Sequence, residues 1–492
     1  MKAYFLVNIM IWMISLLPCS VFSQIFSLDI DDYLSQLADN SCRGIVLDSN
    51  DCIYVTGYTR SAEFPCRNAF QPRKEGREDA FVAKFSSSGS TLLYSTYLGG
   101  SKREKAESIA VDHFQCAVVA GMTDSSNFPC LNAYQSNPAG KLDAFIAKLD
   151  SSGSALIYST YLGGSRDDAA FDIALDSAGN ACLGGETISA DFPTYNAYQP
   201  SIGSQEQDIF LTKLTSSGSG IIYSTYLGGK GIDFGGHLAP GSDNSIFLTG
   251  TTWSDDFPTR NSYSSSRAGK YDAFAVKFSS AGSTLLYSTY LGGEGVDFGN
   301  DITVDQSGAA CVAGFTVGSG FPSLNPLWKR NDEEGDAFIF ILSPTGSSLL
   351  LSACFGTDGI ETGLGIVLDS NENIYLTGTS NSALFPLKNP FQAGWGGDED
   401  LFVIKLSPGG RKIINSSYLG GDEYERPYGI VVNSSDDVLI AGCTYSYNFP
   451  LKLPVQASMS GLTAGFISKI SSSGSSIIFS TFLGGPTSPK SH

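Results

Sequence analysis

The chain has 492 residues, a formal net charge of −19 and 16% charged residues, against 42% hydrophobic residues, 12% aromatic residues and 55 glycines. That length allows a large core, or about three domains at roughly 150 residues each. Few charges with many turn formers and aromatics suit an all-β chain and argue against wholesale disorder. An acidic surface repels phosphate backbones, which sets nucleic acid aside as a partner.

The N-terminus reads as an export signal. Lys2 precedes an almost wholly apolar run, 4–17, and Val21-Phe22-Ser23 offers small residues for cleavage before Gln24. The run is too short to span a bilayer comfortably. A lipoprotein reading at Cys19 is weakened by Pro18. No later segment reads as a membrane helix, so the expectation is a secreted or cell-surface protein, a monomer, with no integral membrane span. Residues 24–39 would form a short N-terminal segment, 40–485 the folded body and 486–492 a tail.

Ten cysteines include Cys19, which leaves nine after cleavage. An odd number implies at least one thiol that stays unpaired or pairs between chains. Cys182 and Cys311 stand where other repeats carry Tyr or Val, and read as small buried strand residues. Cys66 and Cys130 each follow a Phe-Pro pair in neighbouring repeats and could form one bond. No CxxC pair or His-rich tract suggests zinc. The basic stretch of Arg73, Lys74, Arg77, Lys102, Arg103 and Lys105 reads as solvated loop.

A repeat dominates everything after residue 40. YLGG stands at 97–100, 161–164, 226–229, 290–293 and 418–421, with degenerate copies at 354–357 and 482–485. The step is 64 or 65 residues, giving seven copies. A Phe-Pro pair keeps the same step at Phe64, Phe128, Phe192, Phe257, Phe321, Phe385 and Phe449. So does an Asp before an apolar run, at Asp79, Asp143, Asp208, Asp272, Asp336 and Asp400, broken only by Ala464. Each unit reads as four strands. A short one ends at an Asp such as Asp48, an Asp-Ser-x-Gly-Asn turn follows, as at 176–180, and then come strands like 53–59, 80–85 and 92–98. The apolar runs are continuous, as strands buried on both faces require. First and last units look like the middle ones, without the caps a solenoid needs, so the expectation is a closed ring. The predicted fold is therefore all-β: a seven-bladed β-propeller with four-stranded antiparallel blades, one repeat of about 64 residues per blade. Residues 28–34 look like a stray outer strand that could help latch the ring.

The succession STYLGG, a short apolar strand ending in Asp, Gly-Asn, a strand ending Thr-Gly-x-Thr, Phe-Pro and DAFxAK resembles the bacterial seven-bladed β-propeller repeat family, abbreviated SBBP. Residues 143–164 and 173–180 carry the pattern closely. The resemblance spans nearly the whole exported chain and implies a secreted or surface-exposed repeat protein without a defined reaction. Local departures are 354–357, Ala464, and Gly241 in place of a turn Asp.

Residues kept in every blade should serve the blade, whereas a ligand site should show as differences between blades. The recurrent acids Glu104, Asp168, Asp233, Asp297, Glu361 and Glu425 fall on the structural side. They read as acceptors for backbone N–H groups, as partners of a recurrent third-strand Lys (Lys84, Lys148, Lys213, Lys277, Lys405, Lys469), or as an acidic ring at the channel mouth. The turn aspartates offer too few oxygens for a calcium loop, so no cofactor is expected and Ca2+ lacks support.

Long second-to-third loops place binding on one face of the ring. Three tryptophans, Trp253, Trp328 and Trp395, fall on that face in blades 4 to 6. The column four residues before the turn Asp reads Gly44, Ser108, Asp172, His237, Asp301, Gly365, Gly429, so its ionisable side chains cluster in blades 3 to 5. Tryptophan faces beside Asp172, His237 and Asp301 suit a sugar, and the expected ligand is an extracellular glycan or protein. The bland alternative is loop packing and a structural histidine. No GxSxG, HExxH or P-loop occurs. An acid and base pair of Asp172 and Asp301 in a glycan hydrolase or lyase is the second reading, and a structural matrix component the third.

Overall fold

The computed structural model describes residues 40–204, 206–326 and 334–486. The expected export signal at 1–23, the latch at 28–34, Trp328 and residues 487–492 of the tail lie outside them. The described residues form seven four-stranded antiparallel sheets, with strands in sequence order in each. The blades are 40–98, 104–162, 168–227, 233–291, 296–355, 361–419 and 425–483. Apart from one 3-10 turn at Pro408–Gly410 no helix is present among them. None is long and apolar enough to cross a membrane.

Each blade forms because its middle strands are apolar on both sides. In blade 1, Ile53–Thr59 and Asp79–Phe85 are buried at every position. Such a sheet cannot stand alone and is sandwiched by its neighbours. The buried apolar side chains fall into seven clusters, each shared by two adjacent blades, including blades 7 and 1.

The landmark residues tie each blade to its own loop. Tyr161 of YLGG accepts the Phe128 N–H at 3.0 Å and donates to the Ser125 carbonyl at 2.7 Å, while the Phe128 ring lies on Phe145. The same bridge recurs at Tyr97, Tyr226, Tyr290 and Tyr418. The Phe-Pro loop and the outer strand thus share one buried hydroxyl.

The recurrent acids turn out to join blades. Glu104, Asp168, Asp233, Asp297, Glu361 and Glu425 each stand at the start of an inner strand and accept the N–H of the fourth residue of YLGG or its equivalent, at 2.7–2.9 Å. Each is at most 1% exposed, so they form no acidic ring at the channel mouth. Opposite each stands the Asp that opens the third strand of the preceding blade, which caps the end of the long loop. Asp79, for example, accepts from Glu75 N and Gly76 N at 2.9 and 2.8 Å. The two carboxylates converge on the first glycine of YLGG. A Cβ on Gly228 would lie 2.7 Å from Asp233 Oδ2 and 2.8 Å from Asp208 Oδ1, so a side chain is excluded there.

The recurrent lysines do not reach these acids. They run to the opposite face and pair within their own blade with the first-to-second turn. Lys148 meets Asp112 at 2.8 Å, Lys213 meets Asp176 at 2.7 Å and Lys405 meets Asp369 at 3.0 Å. In blade 4, where Gly241 replaces the turn Asp, Asp243 takes Lys277 at 3.5 Å instead.

The ring closes without exchanging a strand, since blades 1 and 7 each supply all four of their own. At the seam Asn40 takes the place of the acid. It accepts from Gly485 N at 3.4 Å and its amide donates to Gly485 O at 3.2 Å and Thr463 O at 3.4 Å. On the other face Ser434 N donates to Asp51 at 3.1 Å. Cys182 and Cys311 are buried strand residues, as read from the repeat. Cys66 and Cys130 are free thiols, each beside the tyrosine of its own blade rather than bonded to one another.

Two outcomes follow. Tyr161→Phe leaves a buried donor and a buried acceptor without their shared hydroxyl, and should lower unfolding free energy by about 1–3 kcal/mol in urea titration. The paired acids set a pH dependence. Burial, helped by the facing Asp, raises Glu104, Glu361 and Glu425 from 4.5 to about 7, and Asp233 from 3.8 to about 7. Raised carboxyls stabilise the fold fully below their unfolded values and lose that contribution as pH climbs through the folded ones. The turn aspartates behave oppositely. Burial pushes Asp48, Asp112, Asp176 and Asp369 up, but turn hydrogen bonds and the Lys outweigh it and hold them below 3.8, so their contribution is lost at lower pH. Tm should therefore peak in mildly acidic buffer and fall as pH rises through about 6 to 7, as calorimetry would show.

Candidate functional site

Every inner strand carries a β-bulge near its start, on the long-loop side. The extra residue is Arg43, Glu107, Phe171, Gly236, Asn300, Leu364 or Tyr428, followed by the column that contains Asp172, His237 and Asp301. A bulge re-aims side chains and leaves one residue outside the ladder. Here it lets inner strands differ at the channel wall while the blade behind stays constant.

Asp172 and Asp301 are half-buried in that wall and hold inner strands to one another. Asp172 accepts from Ile173 N at 2.8 Å and Ser108 Oγ at 2.7 Å with one oxygen, and from Leu238 N at 2.8 Å with the other. It thereby spans blades 2, 3 and 4. Asp301 accepts from Ile302 N and Ile366 N, both at 2.8 Å, and joins blades 5 and 6. Burial first, and then Asp172, push Asp301 up to about 7 against the pull of those two N–H groups. His237 is half-buried; burial holds its pKa below 6.5, against the opposite pull of Asp172 and Glu107. Blades 3 to 5 do bring these three side chains to one stretch of wall. The carboxylate oxygens there are engaged by donors of the wall itself.

Trp253 is half-buried, its ring 5.6 Å from Tyr271, within an aromatic wedge where Phe234 and Phe298 stand 5.9 Å apart. Phe298 also stacks on Phe315 at 6.0 Å. Trp395 is 38% exposed on the long loop of blade 6.

A second sector, absent from the sequence reading, lies across blades 7, 1 and 2. The Arg43 guanidinium sits 4.0 Å from the Tyr428 ring and 5.6 Å from that of Tyr58. Arg426 covers Tyr428 at 5.8 Å and Lys105 covers Tyr58 at 5.2 Å. Arg43 Nε is 3.7 Å from Glu107. Cations and tyrosines therefore alternate as Arg426, Tyr428, Arg43, Tyr58, Lys105. Tyr58 is fully buried, whereas Lys105, Arg426 and Tyr428 are half-buried. Each cation–π contact is worth from about 0.5 kcal/mol when exposed to about 2 kcal/mol when dry. Tabulating the bulge column one residue before the Asp172 column would have exposed Arg43, Glu107 and Tyr428. Nothing in the sequence signals their stacking.

Among the described residues no three His, Cys, Asp or Glu side chains come together as a metal site. The turn aspartates, where calcium was weighed, are occupied by turn N–H groups and lysines.

Residues 157–193 and 355–386 match the family model described as SBBP, beta-propeller repeat. Both spans run from an outer strand through the carboxylate-anchored connection to the next Phe-Pro pair, the same unit in two registers of one ring. The two matched spans and the seven-bladed ring support the SBBP beta-propeller repeat family for this chain. No curated protein matches it. Solved structures similar to it include an ulvan lyase of polysaccharide lyase family PL25, bound to a -[GlcA(1-4)Rha3S]- ligand. It is 10% identical with a TM-score of 0.44, over 92% of this chain and 95% of that one. BamB from Moraxella catarrhalis is 10% identical with a TM-score of 0.37, over 81% and 82%. YCF48 bound to a D1 peptide is 8% identical with a TM-score of 0.41, over 82% and 89%. Likenesses this distant carry no inference about what the chain binds.

Asp301→Ala strands the Ile302 and Ile366 N–H groups, and should cost about 1–3 kcal/mol for each donor left unmatched. Asp301→Asn keeps an acceptor oxygen and should cost less. Urea unfolding of the two variants checks the assignment of Asp301 to the wall.

Proposed function

We propose that the protein is an extracellular binding scaffold whose ligand, a glycan or protein bearing acidic groups, docks on the long-loop face over the channel mouth. The observation that carries this reading is where the blades differ. Five of the seven repeats keep the YLGG tyrosine and six junctions keep the anchoring acid, yet the blades diverge at the inner-strand bulge and the residues beside it. There, in a chain of net charge −19, Arg43, Lys105 and Arg426 gather on one arc with two tyrosines. Cations held against ring faces suit a carboxylate or sulfate on a body with apolar faces. The aromatic wedge at Trp253, Tyr271 and Phe298 and the exposed Trp395 offer further stacking surface on the same face. The engaged oxygens of Asp172 and Asp301 favour binding over acid–base catalysis.

The test is binding of the labelled protein to a broad panel of glycans and matrix proteins, beside two variants checked by melting. Lys105→Ala with Arg426→Ala should weaken a specific interaction by at least about fivefold, the equivalent of about 1 kcal/mol. Trp395→Ala tests the far loop separately. Undiminished affinity in both variants would remove the site from this face. No binding across the panel would favour a structural matrix component.

A further inference from the structure

The seam between blades 7 and 1 differs from the other six interfaces at five positions at once. Where those interfaces pair two buried acids, the seam has Asn40 and Ala464. A second contact recurs closer to the channel, between the sixth residue of a second strand and the residue two past the anchoring acid, or its seam equivalent Asn40, in the next inner strand. Gly235 N donates to Glu186 at 2.9 Å and Gly299 N to Thr251 Oγ1 at 3.3 Å. At the seam these two positions are Cys443 and Cys42.

The fifth difference makes room for sulfur. The second residue of the third strand is Ala, Ile or Leu in the other blades and Gly465 in blade 7. A Cβ on Gly465 would lie 2.5 Å from Cys42 Sγ. Gly465 is also the register partner of Cys443. Directly opposed residues in an antiparallel ladder have Cβ positions about 4.5–5.5 Å apart. Cys42 Sγ therefore occupies the space a side chain opposite Cys443 would fill. Both are thiols in the structure, not joined to each other, and both are buried, at 0% and 4% exposure, each near one end of the ring-forming chain. Burial pushes the Cys42 thiol far up, and Cys443 adds to the shift, so the two sense each other.

We propose that Cys42 and Cys443 form a disulfide that closes the ring covalently. The step is thiol–disulfide exchange with a disulfide-bearing oxidant. One cysteine, as thiolate, attacks the oxidant's S–S bond to give a mixed disulfide and release one oxidant thiol. The second cysteine then displaces the other oxidant thiol and leaves the Cys42–Cys443 bond. Two electrons and two protons pass to the oxidant, which ends as a dithiol. The buried thiols of the finished ring are poor nucleophiles, so the exchange belongs to folding, while the seam is still open. The remaining cysteines, Cys52, Cys66, Cys116, Cys130, Cys182, Cys311 and Cys354, stay in their own blades, consistent with an odd total of nine.

The experiment is refolding of the reduced, full-length protein in a glutathione redox buffer, which makes the result independent of where the chain resides in the cell. Remaining thiols are blocked with iodoacetamide, the protein is digested without reductant and linked peptides are identified by mass spectrometry. The expected product is one linked pair joining the Cys42 and Cys443 peptides, lost on reduction and absent from Cys443→Ser. Tm of the wild-type protein should drop by several degrees on reduction, while that of Cys443→Ser should not respond. Alkylation of both Cys42 and Cys443, or a bond joining either to another cysteine, would overturn the proposal. The peptide assay needs no folded variant, so a poorly folding Cys443→Ser leaves the answer intact.

Discussion

A single hydrogen bond, from a glycine N–H of the interblade connection to a carboxylate at the start of the next inner strand, governs how this ring is assembled. It ties one blade to the next over a short span, because the donor lies just past an outer strand and the acceptor, four residues on, opens the next sheet. Burying that carboxylate brings it against a second one, the cap of the preceding blade's long loop. The cost of two adjacent buried acids is offset by hydroxyl and N–H donors, such as Ser189 and Gly164 around Asp168. Both glycines of YLGG then follow: the first would thrust a side chain between the acids and the second donates from a crowded connection.

With that connection fixed, the rest of the repeat has separate duties. The YLGG tyrosine secures the Phe-Pro loop to the outer strand, and the third-strand lysine neutralises the turn on the far side. Neither touches a neighbour's anchoring acid. The inner-strand bulge is a place where sequence can vary at little expense, since the extra residue makes no ladder bonds. Asymmetry accordingly accumulates there, as ionic and tyrosine-rich contacts on blades 7, 1 and 2 and as aromatic packing on blades 4 and 5.

The fold was legible because its signal repeats seven times: spacing, continuous apolar runs and turn residues all gave the same period. The partners of repeated polar groups were less so. Period alone could not say that Lys213 turns toward Asp176 rather than toward Asp233, since both acids recur with the same step. The candidate site was legible in part. Asp172, His237 and Asp301 do share the channel wall, but the two aspartates are engaged there by backbone N–H groups of neighbouring strands, which no residue type announces. Trp253 was read as a platform from its rarity, and proves to lean on Tyr271, an aromatic in a different column of the repeat. Arg43 and Tyr428 were missed because they come together only when the two ends of the repeat array meet.

Because each blade is made from one uninterrupted stretch of chain, the ring has no privileged starting point. Asn40 and Gly485 are hydrogen-bonded neighbours, so joining them and opening another glycine connection would yield a circular permutant with the same seven sheets. The seam would then become an ordinary junction in the interior of the chain. Its asparagine, alanine, glycine and two cysteines mark where the first blade meets the seventh, and there the proposed bond would do what an unbroken backbone does at every other junction.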